Sequence, residues 1–438
     1  MKISTHGFQA TRAMAVCVIL AFAHVAVAQS TGNKLRVPNF PPVDELPVQR
    51  NLPDPLVMLD GTRVTSAQQW TERRRPELKA LFQHYMYGYT PPSPGITSRV
   101  MKTDSTLFGG KATLKEVEIR FNNLTGDDAP HIHLALFVPN GAKGPLPVFL
   151  GLHNCGNHTV VDHPSVTIDE DAWCQDKCPQ PKEKGRGVMA GFWAVENTID
   201  RGWAFATFHQ SDIDPDKHDF TDGVHAHYPD LPGPEQSRWG TIAAWAWGLQ
   251  RGVDYLTVDP QVDPERICLI GHSRRGKTVL LAAAMDERVA LVVPHQSGTG
   301  GAALSRNNDQ ETVERINRVF PHWFNDTFTQ FNDNEDQLPF DQHCLMALVA
   351  PRPLLETAGL KDKWANYESA LRSLQAADPV YKLLGARGLV GEGMLIGDEP
   401  MTREQVGELL QYRRNTRHTL NVDYWNAILD FAELQLSK

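Results

Sequence analysis

The chain has 438 residues, 41% of them hydrophobic, with 30 prolines and a formal net charge of −9. That length holds one large domain or two ordinary ones, and the acidic balance offers no basic field for nucleic acid. Beyond the first 28 residues, no stretch reaches the roughly 18 apolar residues that span a bilayer.

The chain begins "MKISTHGFQATRAMAVCVILAFAHVAVAQS", where Lys2 and Arg12 precede an apolar run over 13–23 and Ala26-Val27-Ala28 stands before Gln29. A charged start, an apolar middle and a small-x-small end predict an export leader over 1–28, cleaved after Ala28. The remainder, 29–438, is expected to form a single catalytic domain, with a Pro-rich lead-in over 29–65 packed across it. Five cysteines then remain. Cys155, Cys174 and Cys178 sit in polar loops and predict one disulfide in an oxidising compartment. Cys268 lies in an apolar strand and reads as an inert core thiol.

In chain order, "QQWTERRRPELKALFQHYMYGY" (68–89) predicts a helix, and "LKEVEIRF" and "HIHLALFVP" predict strands of period two. "LPVFLGL" and "GWAFATF" are short buried strands, and "RWGTIAAWAWGLQRGVDYL" is a helix. Then follow the strand "RICLIG", the helix "KTVLLAAAMD", the strands "VALVVP" and "RPLLETAG", and the closing helix "VDYWNAILDFAELQL". Strands spaced by helices predict an α/β architecture: a mainly parallel sheet with helices on both faces.

In such a sheet, ligands bind at the carboxyl ends of the strands. There "LIGHSRRGKTVLL" runs from strand through Gly271-His272-Ser273 straight into a helix. Gly271 permits a tight turn and Gly276 a close strand–helix approach, so Ser273 is expected to stand exposed as a nucleophile. The N–H of Arg274, at the helix start, would face a developing oxyanion. Lys277 follows one turn later on the same face. The plainer readings are an N-cap serine and a solvated basic patch.

"GHSRRGK" resembles the Gly-Cys-Ser-Arg-x-Gly-Lys signature of glucuronoyl esterases, carbohydrate esterases that cleave esters between glucuronic acid on xylan and lignin alcohols. The resemblance continues through "SGTGGAALSR", "ETVERINRVFPHWF", "NDNEDQLPFDQHCLMALVAPRPLLETAG", "KDKWAN" and "RHTLNVDYWNAILDFAE". It runs from about residue 147 to the C-terminus and is strongest to bacterial members. It implies an α/β-hydrolase fold, a serine esterase activity and no cofactor or metal.

A serine needs an imidazole base, and that imidazole needs an acceptor on its other nitrogen. His418 is the last of 17 histidines, just before the closing helix, and matches the family's histidine. The family's best-known acid is a glutamate 23 residues after the serine, but here "PHQSG" places Gln296 there. Many bacterial relatives carry an acidic residue on the loop after a later strand, and by that resemblance Asp362, on the loop after the strand that begins near Leu354, is expected to be the acid instead, ahead of Glu356 within that strand. Some relatives bridge the residue before the serine to a cysteine near the catalytic histidine. Here His272 occupies the first position and no cysteine stands near His418. By resemblance, Lys277, Glu311 and Trp364 contact the glucuronoyl ring and Arg274 stabilises the oxyanion.

Two other classes compete with this reading. One is a metal hydrolase built on His131 and His133, or on His153, His158 and His163. The other is a carbohydrate-binding protein that has lost catalysis, with Gln296 marking the loss. Within the esterases, deacetylation or hydrolysis of another sugar ester is the alternative. The expected partner is the ester substrate alone, free or attached to polysaccharide, met by a monomer with no nucleic acid and no membrane after leader removal.

Overall fold

A computed structural model describes residues 1–2, 38–126, 128–229, 231, 235–397 and 401–437. Residues 37–438 form one compact unit, distinct from residues 1–36. Apart from Met1 and Lys2, the leader predicted over 1–28 lies outside the described residues.

Ten strands form one sheet: β1 (Ile96–Thr106), β2 (Ala112–Phe121), β3 (His131–Pro139), β4 (Leu146–His153), β5 (Ala204–His209), β6 (Val262–His272), β7 (Leu291–His295), β8 (Leu354–Gly359), β9 (Leu389–Ile396) and β10 (Leu409–Arg414). Their order across the sheet is β1-β2-β3-β5-β4-β6-β7-β8-β10-β9. β1, β2, β3 and β5 pair antiparallel. From β5 through β9 every pairing is parallel. This is the expected α/β-hydrolase arrangement with three antiparallel strands at one margin.

Alternation along β4 divides the core between the two faces. Val148, Leu150 and Leu152 pack with the helices Thr241–Leu256, Arg274–Met285 and Tyr367–Leu383. Phe149, between them in sequence, packs with the closing helix Val422–Leu436. The described part of the lead-in joins the first cluster through Val43, Leu46, Leu56 and Val64.

β1, β9, β10 and the helix Tyr367–Leu383 are among the elements that escape the sequence pattern. β1 is a solvent-facing edge carrying Arg99, Lys102 and Asp104, so it lacks an apolar alternation. β9, "LVGEGMLI", is interrupted by two glycines, and β10 ends in Arg413 and Arg414. The helix Tyr367–Leu383 carries Pro379 in its interior, a residue that normally ends a helix. The helix predicted over 68–89 occupies 67–87, with π turns at Trp70–Arg74 and Gln83–Tyr87. Among the described residues, no helix is long and apolar enough to cross a membrane.

Candidate active site

β6 ends at His272 and a helix begins at Arg274, which leaves Ser273 alone at the junction with φ 60° and ψ −127°. Positive φ is costly for a residue with a Cβ, so the surroundings must impose it. Ser273 N donates to His295 O of β7 at 2.9 Å. A Cβ on Gly271 would lie 2.1 Å from Arg275 O, and one on Gly276 would lie 2.8 Å from Ser297 Cβ. Both glycines are therefore required for the helix to pack this tightly on the strand. The result is a strained serine lifted at the carboxyl end of the sheet, with the free N–H of a new helix beside it.

His418 stands between β10 and the closing helix, its ring 4.3 Å from that of His272. Its Nδ1 donates to Asp362 Oδ2 at 2.6 Å. That bond leaves the Nε2 lone pair free to take a proton. The Asp362 side chain is only 5% exposed, against 39% for His418, so the carboxylate is sheltered and the imidazole is open. Asp362 follows β8 in a tight turn closed by its own N–H on Gly359 O at 2.9 Å. Glu356 lies inside β8, where Gln411 Nε2 donates to it at 2.7 Å and burial raises its carboxyl to about 8.

Among the described residues, no hydrogen bond joins Gln296 to the His418 ring. Gln296 Oε1 accepts from Thr419 N at 2.9 Å and its Nε2 donates to Arg417 O at 3.3 Å, so it grips the backbone on both sides of the histidine. His272 and His295 complete the packing, with ring centroids 5.1 Å apart. Burial holds both well below the usual imidazole range, His295 at about 3. They are neutral neighbours to His418.

Arg274 is fixed by Asp216, a residue the sequence reading missed. Asp216 Oδ2 accepts from Arg274 Nη1 at 2.5 Å and Gln175 Nε2 at 2.6 Å. Its Oδ1 accepts from His322 Nε2 and Trp323 Nε1, each at 3.0 Å. Burial works against the charge, but the His322 bond and the Arg274 cation outweigh it and keep the carboxyl well below its usual range. The guanidinium rests on the rings of Trp323 and Phe320, at 4.4 and 4.8 Å. Asp216 carries no local motif; its place on the loop after β5, at the carboxyl edge of the sheet, was the available signal.

Lys277, Glu311 and Trp364, widely spaced in sequence, are brought together. Lys277 Nζ donates to Ser297 O at 2.6 Å, Thr299 O at 2.5 Å and Glu311 Oε2 at 3.0 Å. All three of its protons are thereby used. Glu311 also accepts from Thr299 N at 2.8 Å and, on Oε1, from Trp364 Nε1 at 3.0 Å. Arg315 stacks on Trp364 at 4.1 Å. Among the described residues, Cys155 and Cys178 form the disulfide and Cys174, Cys268 and Cys344 are free.

A strained serine at a strand–helix turn, an imidazole bonded to a carboxylate and a pinned arginine at the carboxyl end of this sheet are the kinds of parts that serine hydrolases use. Comparison with known proteins narrows the class. Residues 177–385 match the family described as "Glucuronyl esterase, fungi". Carbohydrate esterase MZ0003, from an unknown prokaryotic organism, is 42% identical over 403 residues, 89% of this chain and 91% of that protein. The 4-O-methyl-glucuronoyl methylesterase of Schizophyllum commune is 30% identical over 384 residues, covering 85% and 81%. The glucuronoyl esterase structure from Solibacter usitatus superposes with a TM-score of 0.81 at 37% identity, over 90% of this chain and 100% of that one. The chain belongs to the glucuronoyl esterase family, and is a carboxylic ester hydrolase of α/β-hydrolase fold.

Proposed function

We propose that this enzyme hydrolyses the ester between (4-O-methyl-)glucuronic acid of glucuronoxylan and lignin alcohols through an acyl-enzyme. His418 takes the proton of Ser273 Oγ as that oxygen attacks the C6 carbonyl of the uronoyl ester. The oxyanion is met by the Arg274 N–H and guanidinium. The C6–O bond breaks, and the alcohol leaves with the proton from His418. Water then gives its proton to His418 and attacks the acyl-enzyme; Ser273 regains a proton and glucuronate departs. Asp362 carries the charge that stabilises the imidazolium.

The observation that carries the substrate is the buried Glu311 hub beside the elbow helix. A carboxylate and the half-buried Trp364 indole suit hydroxyls and one face of a sugar ring. Lys277, with its protons already taken, acts one contact removed by holding Glu311 in place. An acetyl group offers this hub nothing to hold.

Release of acid from benzyl glucuronate, methyl glucuronate and an aryl acetate tests the reading in wild type and Ser273→Ala. Glucuronate cleavage that falls at least about 10⁴-fold in the variant is expected. Cleavage of the acetate alone would remove the uronate from the assignment. Export with removal of 1–28, and a single catalytic domain over 29–438, complete the proposal. The Cys155–Cys178 disulfide supports an oxidising destination, and the N-terminal sequence of the exported protein checks the cleavage point.

A further inference from the structure

Away from the esterase residues, the loop following β4 crosses β3 and the loop following β5. There His133, Asp169 and Asp212 converge, with one ligating atom from each lying within 4.8 Å of the others. We propose that His133 Nδ1, Asp169 and Asp212 hold one divalent transition-metal ion of the zinc class, which fastens the 154–189 segment to the sheet.

The hydrogen bonds around His133 fix which of its nitrogens is available. Ala129 O can only accept, so His131 Nδ1, 3.0 Å away, carries the proton of that bond. With both rings neutral, as metal binding requires, His131 Nε2 is the lone pair and accepts from His133 Nε2, 3.0 Å away. His133 Nδ1 is left unprotonated. It is closed off from solvent without a hydrogen bond and stands 3.5 Å from Asp169 Oδ2. A lone pair facing a carboxylate is repulsive unless a cation lies between them. A metal-bound imidazole normally donates its other N–H to a fixed acceptor, and His131 is that acceptor here.

Asp212 adds the second carboxylate. Its Oδ2 accepts from His133 N at 2.9 Å, which anchors it beside the imidazole. One imidazole and two carboxylates suit zinc-class ions, whereas Mg²⁺ and Ca²⁺ prefer all-oxygen sets.

The site is structural. β3 is three strands from β6 in the sheet order, roughly 14 Å at ordinary strand spacing, too far for the ion to touch an acyl group on Ser273. What it reaches is the loop. Asp169 belongs to the segment that also carries the disulfide and Gln175, and Asn157 of that segment donates to His133 O at 2.8 Å.

The test is independent of the esterase assignment, because it reads metal content and melting. The purified enzyme is stripped with EDTA, reloaded with Zn²⁺ or Mg²⁺, gel-filtered, assayed for bound metal by mass spectrometry, and melted. One retained Zn²⁺ per chain and a Tm several degrees above the stripped form are expected. Asp169→Asn, isosteric at a side chain 38% exposed, should lose both the zinc and the shift, and so should His133→Ala. Ester hydrolysis well below the Tm should survive stripping. No retained zinc, unchanged stoichiometry in both variants, preference for Mg²⁺, or loss of hydrolysis by a stripped but folded enzyme would each overturn the proposal.

Discussion

Around His418, two carboxylates and one glutamine are held in three different ways. Asp362 accepts a hydrogen bond from His418 Nδ1 at 2.6 Å, Glu356 is tied to Gln411 inside a strand, and Gln296 holds the neighbouring peptide groups. Asp362→Asn should therefore keep the fold and lower kcat by about 10⁴-fold, since an amide fixes the wrong tautomer and supplies no charge. Gln296→Glu keeps the acceptor for Thr419 N and loses only the long bonds to Arg417 O and Tyr424 OH, at 3.3 and 3.4 Å. Its kcat/KM should stay within about tenfold of wild type, a cost of about 1.4 kcal/mol. Equal collapse of both variants would remove Asp362 as the sole charge on the histidine. The pairing of Asp362 with His418 was foreseeable because the resemblance to bacterial relatives and the hydrolase order both pointed to that loop. The clamp by Gln296 was not, since side-chain bonds to a distant backbone leave no spacing in the sequence.

The elbow is an element-scale device, and its glycines are testable as such. The atoms that a Cβ on Gly271 would strike are the backbone O and C of Arg275, at 2.1 and 2.4 Å, and these cannot rotate away as a side chain could. Gly271→Ala is expected to displace the helix start and cost at least about 100-fold in kcat/KM, as a shift near 1 Å does for a positioned nucleophile. Wild-type turnover would mean that the elbow tolerates a looser junction. The central strands were readable because both their faces are buried and their residues run apolar. β1, β9 and β10 were not, because edge exposure, glycines and terminal arginines hide the period. The disulfide partner of Cys155 was equally hidden: Cys174 and Cys178 share one loop, and only its path brings Cys178 within a Cα distance of 5.5 Å.

Across the whole molecule, imidazoles line the carboxyl edge of the sheet. His153 pairs in register with His209, and His272 with His295. Burial keeps all four low, His209 at about 4 and His295 at about 3. An unfolded chain protonates the same groups near 6.5. Between these values the unfolded state binds more protons, so stability rises with pH and is lost as pH falls from about 6.5 toward 4. Melting scans should show Tm dropping through that window, with a shallower slope in His209→Gln. A flat profile would mean that these rings already carry protons in the native state.

Asp216 has one further consequence. Two donors on each oxygen fill its lone pairs, so the rotational freedom of Arg274 is spent during folding, before any ester arrives. Those donors come from the 154–189 loop, from the elbow helix and from residues 322–323. Laboratory evolution thus gains a remote dial: changes at Gln175 or His322 retune the arginine's aim while every residue of the triad stays as it is.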